Sequence, residues 1–160
     1  MKYLGRLKSG EYVYNRKISH VDNLLLDLIV DSLDQIDSKE RNHIEESIIF
    51  DHNIGICKVV KTQSSDHIYF AKRKNRDGLS RIVKDREGIP SNILTIVLLK
   101  TKYNYTLITG YIGERVGPEP FSKFARKSDI EYWNTHAFVD KLTDIDQSTI
   151  TLNPPQYFNI

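Results

Sequence analysis

A scattered set of side chains in this sequence has the types needed to cleave a phosphodiester without a metal: His52, His136, Arg81, Lys84, Thr109 and Tyr111. In-line attack of a ribose 2′-hydroxyl on the neighbouring phosphate needs a base for the 2′ proton and an acid for the leaving 5′ oxygen. It also needs cations or hydrogen-bond donors for the charge that builds on the phosphorane. His136 and His52 are the candidate base and acid, Arg81 and Lys84 the groups on the scissile phosphate, and Thr109 and Tyr111 the groups that orient it. Lys72, Arg73, Lys74, Arg76, Ser80 and Arg86 would supply further contacts to nucleic acid. Plainer readings stand beside these. His52 lies in the turn-forming run Asp51-His52-Asn53-Ile54-Gly55 and can be a solvated histidine, while His136 can be held by the core beside Trp133. His67 reads as structural or solvated at the edge of a strand.

These residues must be positioned by the stretch from His67 to Gly113. An alternating run, His67 to Ala71, leads into a cationic loop holding Lys72, Arg73, Lys74, Arg76, Arg81, Lys84 and Arg86 against Asp77, Asp85 and Glu87. After the turn signal Gly88-Ile89-Pro90 come two apolar runs, Ile93 to Leu99 and Tyr105 to Ile112, joined by a short polar link. The pattern predicts an antiparallel hairpin with the cationic loop at a sheet edge, where a polyanion can reach it. Between His20 and Asp51 the balance reverses, with nine acids against Lys39 and Arg41. One face should therefore attract phosphate and another repel it, although two solvated faces of opposite sign would read the same way.

A chain of 160 residues with net charge +2 can bury a core without metals or disulfides. The single cysteine, Cys57, has no internal partner, which fits a reducing compartment. No apolar run approaches the roughly 18 residues of a membrane span, and Met-Lys-Tyr-Leu-Gly-Arg lacks the apolar region of a signal peptide, so the expectation is a cytoplasmic protein with no membrane contact. No Gly-rich phosphate loop or GxSxG elbow occurs. The histidines His20, His43, His52, His67 and His136 have no zinc spacing, so neither a metal nor a cofactor is expected. Glu114 and Glu119 offer no defensible carboxylate pair for glycoside chemistry.

In chain order, Tyr3 to Leu7 and Tyr12 to Tyr14 predict a small hairpin. Ser19 is a candidate N-cap for an amphipathic helix reaching about Ile36, with Val21, Leu24, Leu25, Leu28 and Ile29 at helical spacing. Asp37 with Glu40 resembles a capping box and predicts a second helix to about Phe50. Ile56 to Val60 should be a strand, Gly113 to Pro120 a rigid loop, Ser128 to Trp133 a short capped helix, and Thr149 to Leu152 an edge strand stopped by Pro154-Pro155.

The ordered set Arg76-Asp77-Gly78-Leu79-Ser80-Arg81-Ile82-Val83, Thr95 to Leu99, Leu107-Ile108-Thr109-Gly110-Tyr111-Ile112-Gly113, Pro118-Glu119-Pro120-Phe121 and Tyr132-Trp133-Asn134-Thr135-His136-Ala137-Phe138-Val139 resembles a bacterial group of ribonuclease toxins. These are similar to the superfamily of barnase, EndoU, colicin-type tRNA nucleases and RelE. The resemblance covers roughly His52 to Val139. It implies N-terminal helices packed on a curved antiparallel sheet of about four strands, with a cleft on the concave face holding His52, Arg81, Thr109 and His136. Gly110 stands where that family would have a small residue, often alanine. The resulting expectation is one α+β domain over residues 1–160, helical over about 19–50, sheet over about 54–113, with a C-terminal helix and tail over about 128–160. It would act as a metal-independent endoribonuclease toxin on tRNA or mRNA, with an inhibitory antitoxin or immunity protein as partner. Two other classes stay open: a non-catalytic RNA-binding or phage accessory module, and a protein-interaction domain that uses its acidic helices.

Overall fold

Apolar alternation, far more than helical spacing, organises the folded chain. The computed structural model describes residues 2–16 and 21–160; Ser19 and His20 lie outside them. The first half holds β1 (Lys2–Arg6), β2 (Tyr12–Asn15), α1 (Asn23–Ser32), β3 (His43–Ile49), β4 (Gly55–Cys57), β5 (Val59–Lys61) and β6 (Ile68–Arg73). The second holds β7 (Leu79–Val83), β8 (Ile89–Ser91), β9 (Ile93–Lys100), β10 (Tyr105–Ile112), α2 (Lys127–Trp133), β11 (His136–Val139) and β12 (Ile145–Thr151). The described residues thus form twelve strands in three sheets and only two short α-helices. This overturns the expected α+β arrangement of N-terminal helices on a four-stranded antiparallel sheet. The sheets are also mixed, because β2 runs parallel to β10 and β7 parallel to β11.

The chain divides into two compact units, residues 1–55 with 91–115, and residues 56–90 with 116–160. In the first unit the strand order is β1-β2-β10-β9-β3. The expected hairpin is present, with Tyr105 opposite Lys100 and Ile112 opposite Leu94, and β9, flanked by strands on both sides, is buried from Leu94 to Leu98. One sheet face packs on α1 through Val13, Ile29, Leu33, Ile44, Leu94, Ile96, Leu98 and Leu107. The cap of α1 is Asp22, whose carboxylate accepts from the Leu25 N–H at 2.9 Å. At Gly110 an added Cβ would sit 2.4 Å from Ile29 Cδ1. Even alanine would therefore crowd the place where α1 touches β10.

The expected second helix, 37–50, is a turn followed by β3. Asp37 accepts from the Lys39 N–H at 3.0 Å, and Lys39 and Glu40 both have left-handed backbones, φ 49° and 58°, which no helix start allows. Ile44 and Ile48 suit a strand as well as a helix. Isoleucine-rich pairing along the whole of β9 decides for the strand.

The second unit is ordered β12-β6-β7-β11-β5. The expected cationic loop is largely a second hairpin, since β6 runs on to Arg73, the chain turns with Asn75 at φ 63°, and β7 follows from Leu79. Val60, Val83, Ala137 and Val139 form one core; Phe70, Trp133 and Phe158 form another. The helix α2 starts two residues earlier than its sequence signal, with Asp129 accepting from the Arg126 N–H at 2.8 Å. A tail strand is at the sheet edge, as expected, but it is Ile145–Thr151, beginning four residues before Thr149 and ending before Leu152. Among the described residues no helix is long and apolar enough to cross a membrane.

Candidate nucleic-acid interface

The sheet of the second unit sorts the cations that the sequence placed in one loop. Phe70 pairs with Arg81 and Ala71 with Ser80, while Phe138 lies beside Ile82 in the parallel register. Strand alternation then puts Arg81 on the face of Phe70, Val83 and Ala137, and puts Arg73, Ser80, His136 and Phe138 on the other. Arg81 donates through Nη1 to Thr62 Oγ1 at 2.8 Å and to the His136 carbonyl oxygen at 3.1 Å. Burial lowers its guanidinium pKa, against a smaller opposing effect of Asp66. Arg81 is thus a strut that reaches across β11 to the end of β5.

On the opposite face, the His136 ring stacks on Tyr132 with centroids 3.9 Å apart and planes within 9°. Its Nδ1 lies 2.9 Å from the Tyr132 carbonyl oxygen and 2.9 Å from Thr135 Oγ1. A carbonyl only accepts, so Nδ1 carries the proton and Nε2 is the basic atom of the ring. Lys61 is the cross-strand partner of His136 on this face.

Beside them, Arg73 donates to Ser80 Oγ at 3.1 Å and to Glu119 at 2.6 Å, and the Ser80 hydroxyl donates to the second Glu119 oxygen at 2.5 Å. The Arg73 guanidinium lies 4.0 Å above the Phe138 ring, which stacks on Trp133 at 5.0 Å. The arginine and glutamate side chains are only 18% and 10% exposed, so this pair is built into the fold. Arg76 stands close by. Its pKa is lowered first by burial and then by the like charge of Arg73, with Glu119 opposing. The Arg76 guanidinium itself donates through Nη1 to the Asn75 carbonyl oxygen at 3.2 Å. Gly78 is required here, because a Cβ would fall 2.1 Å from Phe121 Cγ.

Of the remaining cations, Arg86 pairs with Asp66 at 2.9 Å and Lys74 reaches Asp144 only at 3.8 Å. Among the described residues Lys72, Arg76 and Lys84 form no salt bridge.

The other expected site residues belong to the first unit. His52 is exposed and bonded through Nδ1 to Asp51 at 2.6 Å, which lowers the Asp51 pKa. Thr109 and Tyr111 are on β10, past a bulge at Ile108, on the face opposite Ile29. The expected constellation is accordingly divided, with His52, Thr109 and Tyr111 in one unit and Arg81 and His136 in the other. Sequence reasoning missed Glu119, Thr62 and the Tyr132 ring. Glu119 had a usable signal: prolines on both sides fix the backbone around it. Among the described residues no group of histidine, cysteine and carboxylate side chains could hold a metal ion. Compared with protein-family models, curated proteins and solved structures, the chain matches none.

Proposed function

We propose that the second unit binds RNA through its β6–β7 hairpin, with Lys72, Arg76 and Lys84 on backbone phosphates. The observation that carries this reading is that the half-buried Arg76 forms no salt bridge among the described residues: Glu119 is bonded to Arg73 and Ser80, and the Arg76 guanidinium donates only to the Asn75 carbonyl oxygen. A phosphate oxygen suits such a guanidinium better than water does, because partial burial strengthens the attraction and the planar fork matches the anion. The test is titration of the full-length protein into a labelled single-stranded RNA of about 20 nucleotides in EDTA over a salt series. Binding that weakens steeply with salt, and that fails in the K72A/R76A/K84A variant with its fold retained, supports the proposal. Salt-insensitive or undetectable binding removes it.

A second reading, metal-independent endoribonuclease, is favoured by one observation, the basic Nε2 that His136 presents while its Nδ1 proton is held by Tyr132. In that reading His136 takes the 2′ proton as the 2′ oxygen bonds to phosphorus, the P–O5′ bond breaks, and solvent water protonates the leaving 5′ oxygen. The nearby cation is Lys61, because Arg81 is committed to the opposite face. The same RNA decides it: products with cyclic phosphate ends, absent with His136→Ala, support cleavage, and intact RNA leaves binding alone.

A further inference from the structure

The edge of the first unit's sheet carries an exposed aromatic surface. On β1 and β2, Leu4 and Val13 face inward and are buried, while Tyr3 pairs with Tyr14 and Arg6 with Tyr12 on the outer face. Tyr3 is 52% exposed and Tyr12 44%. The three rings hold one another edge-on, with Tyr3 centred 5.7 Å from Tyr12 and 5.8 Å from Tyr14, and the Arg6 guanidinium lies 5.5 Å from the Tyr12 centroid. The β9–β10 turn joins this corner through Asn104, which accepts from the Tyr12 N–H at 3.3 Å. That turn carries Lys102 and the 75% exposed Tyr103, also in cation–π contact at 5.4 Å.

Rings anchored on strands, open to solvent and interleaved with cations, suit one ligand chemistry above others. Each base of a single strand has a flat π-face to lay on a ring, and its phosphates complement Arg6 and Lys102. We infer that Tyr3, Tyr12 and Tyr14 form a stacking platform for single-stranded RNA, with Arg6 and Lys102 on the phosphates. The inference rests on the reading that this chain binds RNA, and adds a second, base-contacting surface to it. A duplex hides its base faces and should gain nothing from the platform.

The experiment compares wild type, Y3A/Y12A, Y3F/Y12F and K72A/R76A/K84A for binding to oligo(U) and to double-stranded RNA, with urea midpoints as the check on folding. The alanine doublet is expected to bind oligo(U) about tenfold more weakly or worse, with duplex binding and the salt slope unchanged, and the phenylalanine doublet to bind as wild type does. Crosslinking of a 4-thiouridine oligonucleotide to the unaltered protein should mark Tyr3 or Tyr12, which keeps the inference testable if the doublet misfolds. Wild-type affinity in the alanine doublet, with loss only in the hairpin triple variant, overturns the platform and leaves the hairpin proposal standing. Failure of wild type to bind any RNA overturns both. A doublet that changes only the sedimentation of the protein marks a self-association surface and likewise overturns it.

Discussion

Arg81 and His136 are joined through the backbone and separated by the sheet: the guanidinium donates to the His136 carbonyl oxygen, while the imidazole turns to the other face and stacks on Tyr132. A residue placed in this way acts on stability. Arg81→Met should cost about 1.5–3 kcal/mol, the range for hydrogen bonds from a charged group, seen as a lower urea midpoint at unchanged slope. RNA affinity of the protein that remains folded should not change. A normal midpoint with weakened RNA binding would instead make Arg81 a phosphate ligand.

The Arg73–Glu119 pair gives a prediction of a different sign for binding. Glu119→Ala leaves a buried guanidinium without its carboxylate, and losses of about 3–5 kcal/mol are typical of half-broken buried pairs. Glu119→Gln keeps an acceptor for Ser80 and should cost less. Both variants remove a negative charge beside Arg76, so the folded fraction of Glu119→Gln should bind RNA more tightly than wild type at low salt. Unfolding and RNA titration on that variant should therefore move in opposite directions.

Much of this fold could be read locally, and the failures have a common physical form. The β9–β10 hairpin and the N-terminal hairpin were legible because their strand-forming runs are bounded by short polar turns. Residues 37–50 misled because Asp37 and Glu40 offer the same side-chain pattern to a turn as to a helix start, and partners 44 to 56 residues away settle β3. The cationic segment was legible in charge but not in shape. Alternation along Leu79–Val83 sends Ser80 and Arg81 to opposite faces, and nothing in their types announces that Arg81 will meet Thr62. His136 was legible as a histidine beside aromatic residues; its stacking on Tyr132 and its tautomer come from the turn between α2 and β11.

Gly110 tests the packing of α1 on β10. Alanine there must displace Ile29, which is fully buried, and overpacking of this kind costs about 1–3 kcal/mol. A lowered thermal midpoint is expected for Gly110→Ala. The pairing of Ile29→Val with Gly110→Ala should recover part of it, since the shorter side chain gives up the crowded methyl.

Acid sensitivity should trace in part to Asp66. Its carboxylate accepts from the Gln63 N–H at 2.7 Å and from Arg86 at 2.9 Å, and these contacts, the backbone one first, hold its pKa below the ordinary aspartate value of about 3.9. A depressed folded-state pKa stabilises the fold above the unfolded value, and that stabilisation is lost as pH falls through the folded one. Between pH 5 and pH 2, Asp66→Asn should therefore show a shallower fall in urea midpoint than wild type. Equal slopes would mean that the turn contributes nothing to acid unfolding.

The hairpin cations should separate into two classes when binding is measured against salt. Each phosphate contact to a single strand contributes about 0.7 to the slope of log affinity against log salt. Lys72, Arg76 and Lys84 have no salt-bridge partner among the described residues, so replacing any one by alanine should reduce the slope by about that amount and leave the urea midpoint nearly unchanged. Arg86 is held by Asp66, and Arg86→Ala should do the reverse, lowering stability with the slope intact. The slopes of four single variants, measured on one RNA from 50 to 300 mM salt, would assign each cation to the ligand or to the fold. Equal slopes in all four would show that the β6–β7 hairpin does not meet the phosphates.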